Sequence, residues 1–111
     1  AKPLGVLQYQ RSGNDIEIVI LISTVRRQGV GRALVEAAQA MGREAGCHRL
    51  WLITTNDNQT AQAFWEAMEW SLVAVHWGAV REARKLKPEI PECGEGGTAI
   101  EDEVEFEWRC S

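Results

Sequence analysis

Long apolar runs are absent from this chain of 111 residues. The longest, at 18–22, has five residues, whereas a helix that crosses a bilayer needs about 20. The N-terminus also lacks the charged segment followed by a long apolar one that marks a secretory signal peptide. The sequence therefore predicts a cytoplasmic protein with no membrane partner.

Cysteine and histidine are scarce, with three and two residues. Cys47, Cys93 and Cys110 are widely spaced and odd in number, so they form neither a C-x-x-C pair nor a disulfide framework. With only two histidines beside them, we expect no zinc site and no other metal. Free thiols are typical of a reducing compartment, which agrees with the predicted cytoplasmic location.

Basic residues are outnumbered, with twelve Lys and Arg against sixteen Asp and Glu and a formal net charge of −4. Binding the phosphate backbone of a nucleic acid needs clustered Lys and Arg, so we predict no nucleic-acid partner. Seven acidic residues lie in the last twenty positions: Glu92, Glu95, Glu101, Asp102, Glu103, Glu105 and Glu107. That end either attracts a cationic partner or forms a solvated acidic face.

The periodicity of apolar residues predicts one layered α/β domain over residues 1–111. Alternating or β-branched segments predict strands at 4–10, 16–22, 48–54, 72–76 and 104–108. A 3.6-residue spacing predicts helices from Gly29 to Gly46, after Asn58, and at 80–86. The order is therefore β-β-α-β-α-β-α-β. Because the strand at 16–22 is almost wholly β-branched, we expect it to be covered on both faces.

The turn between the second strand and the first helix carries the most informative pattern. It consists of Arg26, Arg27, Gln28, Gly29, Val30, Gly31 and Arg32. Two glycines let the backbone turn tightly and approach a ligand, and the free N–H groups of a helix start favour a phosphate. A G-x-G before a helix is common by itself, and this one matches neither the Rossmann nor the Walker pattern.

Arg26-x-x-Gly29-x-Gly31 resembles the Q/R-x-x-G-x-G/A signature of the GNAT superfamily of N-acetyltransferases. A second segment, Asn58-x-x-Ala61-x-x-Phe64-Trp65-Glu66, is similar to the family's N-x-x-A-x-x-[LF]-Y-E. The resemblance extends over about 5–108. It implies a mixed, mostly antiparallel sheet flanked by helices, and direct transfer of an acetyl group from acetyl-CoA to a small-molecule or peptide amine.

The resemblance also assigns roles to residues. The segment that begins at Arg26 and Arg27 and runs to Arg32 would hold the pyrophosphate of the coenzyme. Leu21, Ile22 and Ser23 would pair with the pantetheine arm and polarise the thioester carbonyl, as an oxyanion hole does. Asn58 would contact the coenzyme and is also a helix N-cap candidate.

The sequence departs from the family pattern at three places. Trp65 replaces the family's tyrosine, and an indole cannot deliver a proton to the departing thiolate. Because a thiolate with a pKa near ~8.5 leaves without a strong acid, this change should slow the reaction rather than abolish it. Glu69 replaces the family's glycine after the helix that begins at Asn58. This helix must therefore end without a glycine.

The third departure is at the front, where the family's first strand, two helices and another strand are missing. The chain is therefore a fragment, or a second subunit or a rearranged terminus closes the acceptor site. The exposed sheet edge at 4–10 favours a homodimer. A non-catalytic coenzyme-binding or protein-interaction module is the alternative function.

Two residues are candidates for the base that accepts the proton of the acceptor amine. Glu17 is the first, because alternation places it on the same face as Val19, Leu21 and Ser23. It could equally lie at a solvated strand end. His76 is the second candidate, and it could instead be a half-exposed strand histidine.

Two further groups of residues have alternative roles. Trp51, Trp65 and Trp70 are predicted to face the core. The basic face formed by Arg81, Arg84, Lys85 and Lys87 on the third helix would contact the 3′-phosphate of the coenzyme or an anionic acceptor, or form a solvated surface.

Overall fold

The computed structural model describes residues 4–25 and 29–110. Its elements follow the predicted order: β1 (Gly5–Ser12), β2 (Asp15–Ser23), α1 (Val30–Glu44), β3 (Arg49–Thr55), α2 (Gln59–Ala67), β4 (Ser71–His76), α3 (Ala79–Leu86) and β5 (Glu103–Arg109), with a short 3₁₀ turn at Glu95–Gly97. None of its helices, within the described part of the chain, combines the length and apolar character needed to cross a membrane.

The strands form one five-stranded sheet in the order β1-β2-β3-β5-β4. The pairs β1/β2 and β4/β5 are antiparallel, whereas β2 and β3 are parallel. The predicted mixed sheet flanked by helices is therefore confirmed. β1 lies at one edge of the sheet, as the sequence predicted, and β4 lies at the other.

The chain divides into two compact units, of which the first comprises Ala1–Leu52 and Trp108–Ser111. Here α1 packs on β1 and β2, and the most buried side chains are Ile16, Val35 and Leu50. The helix ends as predicted, because Gly46 has a φ of 72° and Cys47 donates its N–H to the carbonyl of Gly42.

The second unit is Ile53–Glu107. Its core contains Trp65 and Trp70, whose ring centroids are 4.6 Å apart, and the fully buried Phe106. Arg84 is half-buried and donates hydrogen bonds to the carbonyl oxygens of Ile90, Pro91 and Ile100 at 3.2, 2.8 and 2.7 Å. Its guanidinium therefore fixes the loop after α3 instead of contributing to a basic surface.

Two predictions about burial are wrong. The second half of β2 is not covered on both faces, because Val19, Ile20 and Ile22 are 46%, 40% and 54% exposed. Trp51 is half-buried rather than part of the core, and the guanidinium of Arg49 lies 5.2 Å from its ring centroid. Trp65 and Trp70 are buried as predicted.

Candidate functional site

One edge of β2 is open along its second half. The strand pairs with β1 from Asp15 to Ser23, but its parallel pairing with β3 covers only Asp15–Glu17 in the described part of the chain. From Ile18 onward, the N–H and C=O groups of β2 that point away from β1 pair with no other strand in the described part of the chain. This open edge includes Leu21, Ile22 and Ser23, the residues predicted to pair with the pantetheine arm.

A β-bulge explains where the open edge begins. The register of β1 on β2 runs from Gln8↔Ile20 to Tyr9↔Ile18, so Val19 is an extra residue in β2. A bulge bends the strand that contains it and increases its twist. Val19 follows the last β3 pair at Glu17 by two residues, so the pairing with β3 stops next to the residue at which β2 bends.

The bulge also changes the face assignment of Glu17. Strict alternation predicted that Glu17 shares a face with Leu21 and Ser23, but one inserted residue shifts the alternation beyond it. The predicted shared face is therefore wrong. Glu17 is half-buried beside its register partner Trp51, and its role as a base stays a prediction.

The start of α1 has the properties of an anion site. Gly29 is its N-cap with φ 75° and ψ 10°, so the N-cap residue supplies no side-chain acceptor, and the first turn contains no acidic residue. The N–H groups of the first helical turn, at Val30, Gly31 and Arg32, have no acceptor within the helix. They carry the positive end of the helix dipole, which favours a phosphate.

The two glycines of this turn have different roles. Gly29 has a positive φ and open space around the position of a Cβ, so the turn requires its conformational freedom. Gly31 is helical, within the first turn of α1. The side chain of Arg32 is exposed, and its Nη1 lies 3.9 Å from Oε2 of Glu36. Arg26, Arg27 and Gln28 lie outside the described residues.

Gly5 brings β1 close to both the end of β2 and the start of α1, and no sequence motif predicted this role. A Cβ at this position would lie 2.7 Å from the carbonyl oxygen of Ile22 and 2.8 Å from Cγ1 of Val30. Only glycine allows β1 to approach both elements this closely. The end of β2 and the N-terminus of α1 therefore converge in the first unit.

Asn58 begins α2 in the second unit. Its side-chain oxygen accepts a hydrogen bond from the N–H of Ala61 at 3.1 Å, which confirms the predicted N-cap. The neighbouring Asn56 donates to the carbonyl of Ala99 and accepts hydrogen bonds from the N–H groups of Glu101 and Asp102. Contact of Asn58 with a coenzyme stays a prediction.

Trp65 and His76, the other residues assigned to catalysis, also belong to the second unit. Trp65 is 5% exposed, and its ring makes an edge contact with Phe64 at 4.9 Å. His76 is exposed at the end of β4, with Nε2 3.1 Å from Oε1 of Glu105. In the described part of the chain, no three His, Cys, Asp or Glu residues are grouped so that they could hold a metal ion.

The chain is similar to known proteins along nearly its whole length. A model of the Acetyltransferase (GNAT) family matches residues 2–70. Two Bacillus subtilis (strain 168) proteins, the uncharacterized proteins YdhI and YxbD, are 43% and 38% identical over 103 and 101 residues. These alignments cover 93% and 91% of this chain but 64% of each relative, so the chain spans less than two thirds of their length.

Several solved structures share the fold. They include a Bacillus subtilis acetyltransferase in complex with CoA, with a TM-score of 0.81 at 17% identity, covering 97% of this chain and 70% of that one. A GNAT family acetyltransferase from Elizabethkingia anophelis with acetyl-CoA bound gives a TM-score of 0.80 at 14% identity. This match covers 97% of this chain and 69% of that one. At these identities the likeness concerns the fold alone. The match of the family model over residues 2–70 shows that this chain belongs to the GNAT acetyltransferase family.

Proposed function

We propose that the chain is an N-acetyltransferase that uses acetyl-CoA as its co-substrate and a small-molecule or peptide amine as the acceptor. The observation that supports this best is the open edge of β2 next to the uncapped start of α1. Family membership and the CoA-bound structures with the same fold point to the same coenzyme.

The two parts of this site suit different parts of acetyl-CoA. The N–H groups of the first turn of α1 would hold the pyrophosphate, because they are uncapped and no acidic side chain of that turn opposes the charge. The amide-containing pantetheine arm would form hydrogen bonds with the open edge of β2, as a neighbouring strand does. A backbone N–H among Leu21, Ile22 and Ser23 would then donate to the thioester carbonyl oxygen.

Direct transfer requires no covalent intermediate on the protein. The amine nitrogen forms a bond to the acetyl carbon, the carbon–sulfur bond breaks, and CoA leaves as a thiolate. The N–H donor on β2 stabilises the negative charge that develops on the carbonyl oxygen. The amine proton passes to a base, for which Glu17 is the first candidate and His76 the second.

Calorimetric titration with acetyl-CoA tests the coenzyme site, and the chain offers a matched control. Gly29 and Gly78 are both left-handed N-caps, with φ of 75° and 72°, so Asp at either position faces similar backbone strain. The start of α3 already has acceptors, because Gly78 donates its N–H to Oδ1 of Asp102 at 2.7 Å and Val80 donates its N–H to the carbonyl of Glu101. Gly78→Asp therefore controls for backbone strain at a helix start that has no proposed phosphate. We expect Gly29→Asp to weaken acetyl-CoA binding at least about tenfold by repelling the pyrophosphate, and Gly78→Asp to leave it unchanged. Equal effects, or no binding by the folded chain, would refute the assignment.

A non-catalytic coenzyme-binding module is the second candidate function. It is favoured by the indole of Trp65, which is buried and cannot donate a proton to the leaving thiolate. Release of free CoA from acetyl-CoA over a panel of amines separates the two functions. Steady, amine-dependent release by the wild-type chain supports the transferase, whereas tight binding without turnover supports the module.

We also propose a homodimer that pairs through β1. This strand is a sheet edge, and Leu4, Val6 and Tyr9 are 54%, 50% and 48% exposed. Val6→Lys should shift the mass in analytical ultracentrifugation from dimer towards monomer. The matched change Val73→Lys should leave the mass unchanged, because Val73 is 45% exposed in β4, the other edge strand. A wild-type chain that remains monomeric at every concentration would contradict this pairing.

The single domain over residues 1–111 and the cytoplasmic location remain part of the proposal. One domain predicts that circular dichroism and tryptophan fluorescence report the same unfolding transition. Two separate transitions would instead mean that the two compact units unfold independently.

A further inference from the structure

A cavity of about 460 Å³ lies at the C-terminal end of α1, within the first unit. It is lined by Arg43, Gly46, Cys47, His48, Arg109 and Cys110. Its volume falls in the range of small-molecule sites, about 300–1,000 Å³. Because α1 has 15 residues, its two ends are about 22 Å apart at ~1.5 Å per residue. The cavity is therefore remote from the coenzyme site proposed at the N-terminus of α1.

The walls of this cavity are held by backbone hydrogen bonds. The N–H of Cys110 donates to the carbonyl of His48 at 3.0 Å, which fixes the end of the chain after β5 beside the segment before β3. The N–H of Gly46 donates to the carbonyl of Arg43 at 3.1 Å, so the end of α1 forms another wall. The cavity is thus a feature of the folded backbone.

The lining of the cavity is basic in a chain whose net charge is −4. Arg43 contributes a cationic side chain and His48 an imidazole, whereas Arg109 also has an interaction partner of its own. No acidic side chain lines the cavity among the described residues. Asp15 is close enough to contribute to the raised pKa of Cys110. However, Nε of Arg49 lies 3.3 Å from Oδ2 of Asp15, so the charge of this carboxylate is offset. The cavity therefore attracts anions.

Arg43 is oriented by the ring of Trp108. Its guanidinium carbon lies 4.7 Å from the ring centroid, in a cation–π contact. The five N–H donors of a guanidinium exceed what a contact with a ring occupies, so donors remain for a ligand. A guanidinium held in this way binds the two oxygens of a carboxylate or a phosphate with little loss of side-chain entropy.

We propose that this cavity binds a small molecule that carries a carboxylate or a phosphate group, with Arg43 as its principal ligand. The acetyl transfer proposed above does not require this site, so it is a second ligand site of the chain. The two thiols in its wall provide a chemical probe of occupancy. Burial, and secondarily Cys47, raise the pKa of Cys110, whereas Arg43 opposes this shift.

The experiment compares alkylation by the anionic reagent iodoacetate and the neutral reagent iodoacetamide at about pH 8, where thiols are partly ionised. Peptide mass spectrometry gives the ratio of the two rates for each cysteine. We expect this ratio to be at least about threefold higher at Cys110 than at Cys93, which is exposed outside the cavity. Arg43→Gln should lower the ratio at Cys110, and Arg43→Lys should retain most of it.

Protection measures binding directly and distinguishes the two ligand types. Inorganic phosphate and succinate are titrated separately, with sodium chloride at matched ionic strength as the control. Saturable protection of Cys110 by phosphate or by succinate, absent at Cys93 and weakened about tenfold in Arg43→Gln, supports the site and identifies its preferred anion. Equal protection by chloride would overturn it.

Amide resonances provide the deciding measurement if Cys110 proves unreactive towards both reagents. Titration with phosphate or succinate should then shift the amide signals of Gly46, His48 and Cys110 saturably in the wild-type chain. Arg43→Gln should abolish these shifts without changing the rest of the spectrum. Shifts that do not saturate, or that persist in Arg43→Gln, would refute the proposal.

Discussion

The carboxylate of Asp57 occupies the space that a β-carbon on Gly94 would need. Asp57 is 8% exposed, and its oxygens accept hydrogen bonds from the hydroxyl of Thr55 and, at 3.3 Å, from the N–H of Glu95. A buried carboxylate is stable only when it is paired in this way. The contact therefore ties the loop before β5 to the turn that precedes α2.

Gly94→Ala should destabilise the chain by about 2 kcal/mol, because the new methyl group displaces a buried carboxylate from its donors. Unfolding in urea gives the free energy. The matched background is Asp57→Ala, which removes the obstructing carboxylate and leaves Cδ1 of Ile100, 3.1 Å from the new β-carbon, as the remaining close contact. In that background, Gly94→Ala should cost less than about 1 kcal/mol, since coupled neighbours are not additive. The same cost in both backgrounds would contradict the contact.

Glu69 ends α2 in a conformation that suits glycine better. Among the described residues it is the only one other than glycine with a positive φ, 66°. The left-handed conformation costs an L-residue about 1–2 kcal/mol. Glu69→Gly should therefore stabilise the chain by about 1 kcal/mol in urea unfolding. Glu66→Gly, at an exposed position inside α2, should destabilise it by about 1 kcal/mol; a loss of stability in both variants would refute this account.

Periodicity was sufficient to predict the order of elements, because strand and helix positions differ in the spacing of their apolar residues. It also predicted the ends of two helices, at Gly46 and Asn58. It could not predict the bulge at Val19, because residues 18–22 are all apolar. Without alternating polar residues, an inserted residue leaves no trace in the pattern. For the same reason, the exposure of Ile20 and Ile22 could not be predicted.

Long-range polar contacts were the other part that the sequence could not predict. Spacing along α3 placed Arg84 on a basic face, but its acceptors lie six, seven and sixteen residues further along the chain. Likewise, the turn at Gly29 was identified from its motif, whereas Gly5 has no motif and is recognised only from its distance to Ile22 and Val30.

The two candidate bases make different kinetic predictions. If Glu17 accepts the amine proton, Glu17→Gln should lower kcat about 100-fold or more, while the Kd for acetyl-CoA stays unchanged. His76→Gln should then change kcat less than about threefold, because His76 contacts Glu105 at the surface. Steady-state kinetics with an accepted amine, together with calorimetry, measures both. The reverse pattern would assign the base to His76.

Gly5 and Gly42 allow the geometry of the coenzyme site to be separated from the packing of α1. A Cβ at Gly42 would lie 2.7 Å from Cδ1 of Leu50, and a Cβ at Gly5 would be equally close to the carbonyl of Ile22. Each change to alanine should therefore cost about 1–3 kcal/mol of stability through overpacking.

The effects of the two changes on coenzyme binding should differ, because only Gly5 is in close contact with both the end of β2 and the start of α1. Gly5→Ala should push these two elements apart and weaken acetyl-CoA binding at least about fivefold, since a displacement of a few tenths of an ångström misaligns backbone donors. Gly42→Ala should leave the Kd unchanged at a temperature where both variants are fully folded. Equal losses of affinity would mean that general loosening of α1, and not local geometry, governs binding.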